Sequence, residues 1–263
     1  MNERPLITII IPFFNRIKST ISSLYSALNQ SYNNIEIIII DDCSTEDITE
    51  LLDVVKNNLN VFYHRNLVNL GSSFSRNKGI KYSKGDYISF LDSDDIFKPD
   101  KINLQLNFMI KKNSSFSYTS YFRSYGNKVS LVRCNLIPMV YPLIAFYCPI
   151  ATPTVMIKKE ILNNFKFNNQ SRFGEDLILW IQLSKNNKFY RLNKPLSIVN
   201  IGISNHGLNY EVQKLVREMV GKELYSNKFL YIIHWFYCMI RFLSRPLKTY
   251  IIHTHIAFED KYS

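Results

Sequence analysis

Residues 35–42 read IEIIIIDD, an isoleucine run that stops in two aspartates. A short, continuous stretch of β-branched apolar residues is what a strand shows when both its faces are buried, as in a parallel sheet. Outward from it the same signature recurs. Residues 6–13, LITIIIPF, form an earlier run, and residues 61–65 (VFYHR) and 86–91 (DYISFL) form later ones. Between them apolar residues fall at helical spacing. Ile21, Leu24, Tyr25 and Leu28 make one face, and Ile48, Leu51, Leu52 and Val55 another. A helix is expected from about Ser72 to Tyr82, and a fourth follows Pro99 over Lys101–Lys112, with Ile102, Leu106 and Met109 periodic. Strand then helix, four times in succession, implies an α/β fold with a doubly wound parallel sheet and right-handed crossovers.

Composition is consistent with an ordered enzyme-sized domain. The 263 residues suffice for one large domain, or for one domain with an appendage. A 46% hydrophobic and 20% charged composition is that of a globular chain. The formal charge of +11 favours anionic partners without choosing among nucleic acid, phosphorylated small molecules and membrane surfaces. Cys43, Cys134, Cys148 and Cys238 are far apart with no CxxC pair, which argues against a zinc site or a disulfide framework and for a reducing compartment. The apolar start is better read as a strand than as a signal peptide, since Pro12 halts the run and no small-residue cleavage site follows. Residues 135–157 carry no charge, but Pro138, Pro142, Pro149 and Pro153 would break a spanning helix.

Ligands of open α/β sheets bind outside the carboxyl ends of the strands. Three such ends are chemically distinctive: Pro12-Phe13-Phe14-Asn15, Asp41-Asp42-Cys43-Ser44 and Asp92-Ser93-Asp94-Asp95. They should line one cleft. Carboxylates gathered there repel one another unless a cation joins them, and a hard divalent ion completed by phosphate oxygens is the usual solution. The alternative is a solvated acidic turn in which Asp94 or Asp95 caps the following helix. Likewise Glu175 and Asp176 stand at the start of a helix marked by Leu177, Trp180 and Ile181, where carboxylates also serve the helix dipole.

The segments TIIIPFFNR, IIIIDDCSTED, NLGSSFSRNKGI, GDYISFLDSDD and GEDLILWIQL, in that order over residues 6–200, resemble the family 2 glycosyltransferases of the GT-A fold. The resemblance implies a Rossmann-like, mostly parallel sheet flanked by helices, a nucleotide-diphosphate sugar donor (most often a UDP-sugar), and Mn²⁺ or Mg²⁺ held through a DxD motif. It also implies transfer of one sugar with inversion at the anomeric carbon. Position by position, Pro12 and Phe14 would border the uracil and Asp42 would bond it with Asp41 nearby. Arg76 would sit over the nucleotide or diphosphate, and Asp92 would meet the ribose. Asp94 would hold the metal, with Asp95 and His206 as further ligands, and Asp176 would be the general base. The implied domain is residues 1–207, with a donor half (1–112) and an acceptor half (113–207).

Residues 208–263 are expected to be a helical extension. Within it, residues 228–256 mix aromatic and aliphatic residues with Lys228, Arg241, Arg245 and Lys248. Such a segment fits an anionic membrane interface, or packs on the core or on a second copy in a homodimer. Together these imply a cytoplasmic protein peripheral on the inner membrane face, acting on a polyprenyl-diphosphate-linked saccharide in surface polysaccharide (O-antigen or capsule) synthesis. No QxxRW motif points to a processive synthase. Two other classes fit the sequence less well. A sugar-phosphate nucleotidyltransferase is expected to carry a glycine-rich loop after the first strand, and IPFFNRIKS has none. A non-catalytic anion- or lipid-binding module, or one for nucleic acid, does not need four converging carboxylates that repel phosphate.

Overall fold

The computed structural model describes residues 4–126, 128–133, 139–146, 148–169, 173–201, 210–225, 227–230, 232–234 and 237. Its N-terminal half follows the alternation read from the sequence: β1 (Ile7–Phe13), α1 (Ile17–Leu28), β2 (Ile35–Asp41), α2 (Thr49–Lys56), β3 (Val61–Arg65), α3 (Ser72–Tyr82), β4 (Tyr87–Phe90) and, after the short β5 (Ile96–Phe97), α4 (Lys101–Lys112). β1 pairs in parallel with β2 on one side and β4 on the other, and β3 extends the sheet beyond β2. The strand order therefore reverses between β1 and β4, and their carboxyl ends open the crevice where α/β sheets bind ligands.

Every residue of β1 and β2 is buried. Alternate side chains feed two cores. Ile7, Ile9 and Ile11 pack with Ile21, Leu24, Leu51, Ile102 and Leu106 of α1, α2 and α4. Ile10 points the other way, among Phe90, Phe116 and Trp180. Each fully buried isoleucine contributes about 1.5–3 kcal/mol, so a one-residue slip of β1 would put both cores out of register at once.

The second half joins the same sheet without a break. β6 (Phe116–Tyr125), β7 (Lys128–Val132), β8 (Met156–Lys158) and β9 (Phe189–Asn200) complete the order β3-β2-β1-β4-β8-β6-β9-β5, with β7 on β6. Here β8 runs antiparallel to both β4 and β6, while β6 and β9 are parallel. After β8 the chain makes a 3-10 turn over Lys159–Leu162. Two later helices follow, α5 (Glu175–Ser184) and α6 (Tyr210–Leu224). α6 packs on the core through Val220 and Leu224, and Glu223 bonds Lys185 and Gln182 of α5. Among the described residues no helix is long and apolar enough to cross a membrane. Most of 228–256, the stretch read as membrane-seeking, lies outside the described residues; of those described, Tyr237 donates its hydroxyl to the Phe146 carbonyl at 2.7 Å.

Candidate active site

The rim begins where β1 ends. Asn15 and Arg16 both take left-handed backbone angles, φ 57° and 58°, a conformation that asparagine tolerates better than most residues. Asn15 earns its place by hydrogen bonds to the next loop: its amide donates to Ser44 Oγ at 2.8 Å and its Oδ1 accepts the Thr45 amide at 2.8 Å. The turn leaves Phe14 43% exposed on the edge of a cleft of about 350 Å³. Six of the residues singled out from the sequence line it: Pro12, Phe14, Asp42, Arg76, Asp92 and Asp94.

Asp42 is buried, and both its carboxylate oxygens are engaged. Oδ1 accepts from Asn66 Nδ2 at 2.8 Å and the Leu70 amide at 2.9 Å, and Oδ2 accepts the Gly71 amide at 2.7 Å. Three acceptances leave a carboxylate room for about one more donor, so Asp42 both shapes the 66–71 loop and keeps a lone pair toward the cleft. Asp41 lies below the cleft, fully buried, where it accepts from the Ser44 amide and the Tyr63 hydroxyl, both at 2.7 Å, and pairs with Arg65 at 3.1 Å. Burial, together with that bond to Asp41, pushes the Tyr63 phenol up to about 12.

Arg76 is the hub. Its Nη2 meets Asp92 Oδ1 at 2.6 Å and its Nη1 meets Glu175 Oε1 at 3.0 Å, while Phe167 lies under the guanidinium at 5.3 Å. Burial works against the cation, but Asp92 and Glu175 outweigh it and raise the Arg76 pKa. Its buried Nε has no hydrogen-bond partner among the described residues. An unanswered N–H on a buried cation costs about 1–3 kcal/mol or more. Arg76 reaches this depth because α3 sits hard against β1: a Cβ on Gly79 would lie 2.5 Å from Ile10 Cγ2.

The bridge from Asp92 through Arg76 to Glu175 ties the tip of β4 to the first turn of α5. Asp176 stands beside it, accepting from Thr152 Oγ1 at 3.1 Å and from the Leu177 amide at 2.7 Å. Burial first, then the charge of Glu175, pushes its carboxyl up to about 6, with Arg76 pulling the other way. A proton acceptor with a pKa near neutrality is suited to general-base work.

Asp94 reaches Arg16 Nη1 at 2.8 Å. Burial and the neighbouring Asp92 raise its carboxyl above the usual range, and Arg16 partly offsets them. Asp95 is turned beneath the rim: Oδ1 accepts the Asn200 amide at 2.7 Å and its carbonyl accepts from Ser23. Burial and Asp92 push its carboxyl well up. Among the described residues no three His, Cys, Asp or Glu side chains converge on one point. Asp92 and Asp94 nonetheless present hard oxygens at one side of the cleft, and an arginine already answers Asp94. That donor set fits Mg²⁺ or Mn²⁺, which accept one or two carboxylates and fill the rest of the shell with phosphate and water. His206 lies outside the described residues. Two site residues were not assigned from the sequence, Arg16 and Glu175. In the sequence Arg16 is marked only by its place just past the end of the first apolar run; Glu175 reads as a helix-start carboxylate, and only a distant chain segment reveals its arginine.

Comparison with known proteins finds relatives in both sequence and fold. The family model for glycosyl transferase family 2 matches residues 8–175. The chain is 43% identical over 199 residues to an uncharacterized glycosyltransferase of Rickettsia bellii, a match of 74% of this chain but 29% of that protein, so the chain spans under a third of that relative. It is 34% identical over 178 residues, 68% of this chain and 70% of the relative, to the Escherichia coli UDP-Glc:α-D-GlcNAc-diphosphoundecaprenol β-1,3-glucosyltransferase WfaP. Among solved structures, S. aureus TarS 1–349 in complex with UDP-GlcNAc shares the fold at TM-score 0.70 and 20% identity, over 83% of this chain and 66% of that one. The matched region runs from β1 through the cleft to the first residue of α5, and on that evidence the chain belongs to glycosyl transferase family 2.

Proposed function

We propose that the protein moves one sugar from a nucleotide-diphosphate sugar, a UDP-sugar, to a saccharide carried on a polyprenyl diphosphate, with inversion at the anomeric carbon. The observation that carries this reading is the Asp92–Arg76–Glu175 bridge, which sets a buried arginine against the cleft next to a carboxyl of pKa about 6. The UDP-GlcNAc bound to TarS supports the donor class, and the undecaprenyl-linked substrate in the name of WfaP supports the acceptor class.

In this reading Pro12 and Phe14 flank the base, Asp42 accepts from it with its remaining lone pair, and Asp92 receives the ribose. The acceptor hydroxyl attacks the anomeric carbon while Asp176 takes its proton. The bond from that carbon to the diphosphate oxygen breaks, and both its electrons leave with the nucleoside diphosphate. Arg76 meets the charge that gathers on the leaving diphosphate, with all the advantage of a buried cation already in place. Mn²⁺ or Mg²⁺, held by Asp94 with Asp92 at hand, would supply counter-charge to the same diphosphate. Asp95 and His206 are proposed only as support for that ligand set.

The test is a panel of nucleotide sugars with a synthetic lipid-diphosphate saccharide, scored for nucleotide release and for product stereochemistry by NMR. Transfer with inversion, lost with Asp94→Ala and on adding EDTA, is expected. Retention of configuration, or transfer indifferent to both changes, overturns the reading.

A further inference from the structure

On the other side of α3 from the cleft lies a second and larger depression, about 840 Å³, between the 66–70 loop and residues 159–169. Its floor is apolar, built from Phe74, Ile80, Leu162 and Phe165. Leu67 and Val68 stand on its rim 96% and 57% exposed, an unusual position for two large aliphatic side chains side by side.

Around this floor stand Arg65, Lys78, Lys81, Lys159 and Lys166, and the lining contains no aspartate or glutamate. Arg65 spends its charge on Asp41. The lysines do not: Lys78 donates to the Arg65 carbonyl and Asn66 Oδ1, and Lys159 to the Ser83 carbonyl, all neutral oxygens. Among the described residues no carboxylate pairs with Lys81 or Lys166, both exposed. Four cations without counter-ions, at the edge of exposed aliphatic residues, match the two layers of an anionic bilayer surface: phosphate at headgroup depth and acyl chains beneath.

We infer that this face of α3 docks the protein on an anionic phospholipid bilayer, with Leu67 and Val68 entering the interface and Lys81 and Lys166 resting on lipid phosphates. The same helix carries Arg76 on its cleft side, so docking here would hold the donor site at a fixed height above the membrane. This surface is separate from residues 228–256. The inference rests on the proposed lipid-linked acceptor only for its purpose, since bilayer binding is measured with no nucleotide, metal or acceptor present.

The experiment is flotation of the full chain with phosphatidylglycerol-containing vesicles and, alongside, with phosphatidylcholine vesicles. Each lysine near an anionic surface contributes about 1 kcal/mol, so Lys81→Gln with Lys166→Gln is expected to weaken binding to the anionic vesicles by roughly tenfold or more. Leu67→Ser with Val68→Ser is expected to weaken it comparably. These side chains are exposed, and thermal melting unchanged in both variants shows that folding is not the cause. Hydrolysis of the nucleotide sugar without acceptor, unchanged in both, separates docking from donor chemistry. Binding to anionic vesicles at the level of the unaltered chain in either variant overturns the inference. So does equal binding of the unaltered chain to both vesicle types, which would assign the groove to an apolar occupant such as a protein segment.

Discussion

Asp176 is about half protonated near pH 6, so the site gains its base as pH rises through that value. On the proposed mechanism kcat/KM, which reports the free enzyme, should climb with a midpoint near 6 and then level. Asp176→Asn should lower kcat by about 10²- to 10⁴-fold and leave a flat profile, while nucleotide affinity by calorimetry stays put. A variant with normal turnover removes Asp176 from the reaction. The linkage to stability has the opposite sense. A carboxyl whose folded value is raised holds its proton longer in the folded state, so its favourable contribution is present at low pH and fades between about 4 and 6. Glu175 gives a sharper test of the same cluster. Its charge is one of the two causes that raise Asp176, and it is one of Arg76's two carboxylate partners. Glu175→Gln should move the midpoint of the kcat/KM profile to lower pH, whereas a residue that only caps α5 would lower stability and leave the midpoint in place.

At the scale of elements, α3 decides how deep the site lies. Its buried face is made of Ser73, Ser75, Arg76 and Gly79 rather than of large apolar residues, so the helix settles against β1 and carries the arginine below the rim. Replacing Gly79 with Ala removes about 1 kcal/mol of helix-propensity penalty but drives a methyl to 2.5 Å from Ile10, and overpacking of that kind costs about 1–3 kcal/mol. The steric term is the larger. Gly79→Ala should lower Tm by a few degrees, since about 1 kcal/mol shifts Tm by roughly 2–4 °C in a chain of 150–250 residues. An unchanged or higher melting point would show that α3 can back away from β1 freely.

The elements also show what the sequence disclosed and what it hid. β3 and α4 fall on the expected residues because an apolar run and the Pro99 boundary mark them locally, and α3 falls on its expected residues although no apolar stripe marks it. Likewise Asp42, Asp92 and Asp94 line one cleft because sheet topology brings strand tips together, whereas Asp41 and Asp95, expected beside them, turn beneath it. β6 and β9 were not anticipated. Burial in β6 passes from complete over Phe116–Tyr121 to alternating over Phe122–Tyr125, so no single period describes it. Pro195 interrupts β9 at a register irregularity opposite Ser120, the one kind of place where a sheet interior accepts proline. The partnership of Arg76 with Glu175 spans 99 residues, and no local pattern encodes it.

Across the whole molecule, one continuous sheet carries both halves, so the cleft at the strand tips and Asp176 are set by the same scaffold rather than by a hinge between lobes. α6 closes over the core with Leu224 fully buried; beyond it Phe229 and Ile232 are 71% and 51% exposed, while His234 is buried and Tyr237 bonds the Phe146 carbonyl. A chain ending after Tyr225 keeps Val220 and Leu224 in the core but gives up the contacts of His234 and Tyr237 with Phe146, and is expected to fold and hydrolyse a nucleotide sugar. It loses Lys228, Arg241, Arg245, Lys248 and the aromatic residues among them. If residues 228–256 form a second attachment beside the α3 face, that truncation should weaken flotation with phosphatidylglycerol vesicles, and more so at low ionic strength, where charges separated by up to roughly 30 Å still act. Binding unchanged by truncation would leave the α3 face as the sole attachment and give residues 228–256 a role in packing on protein.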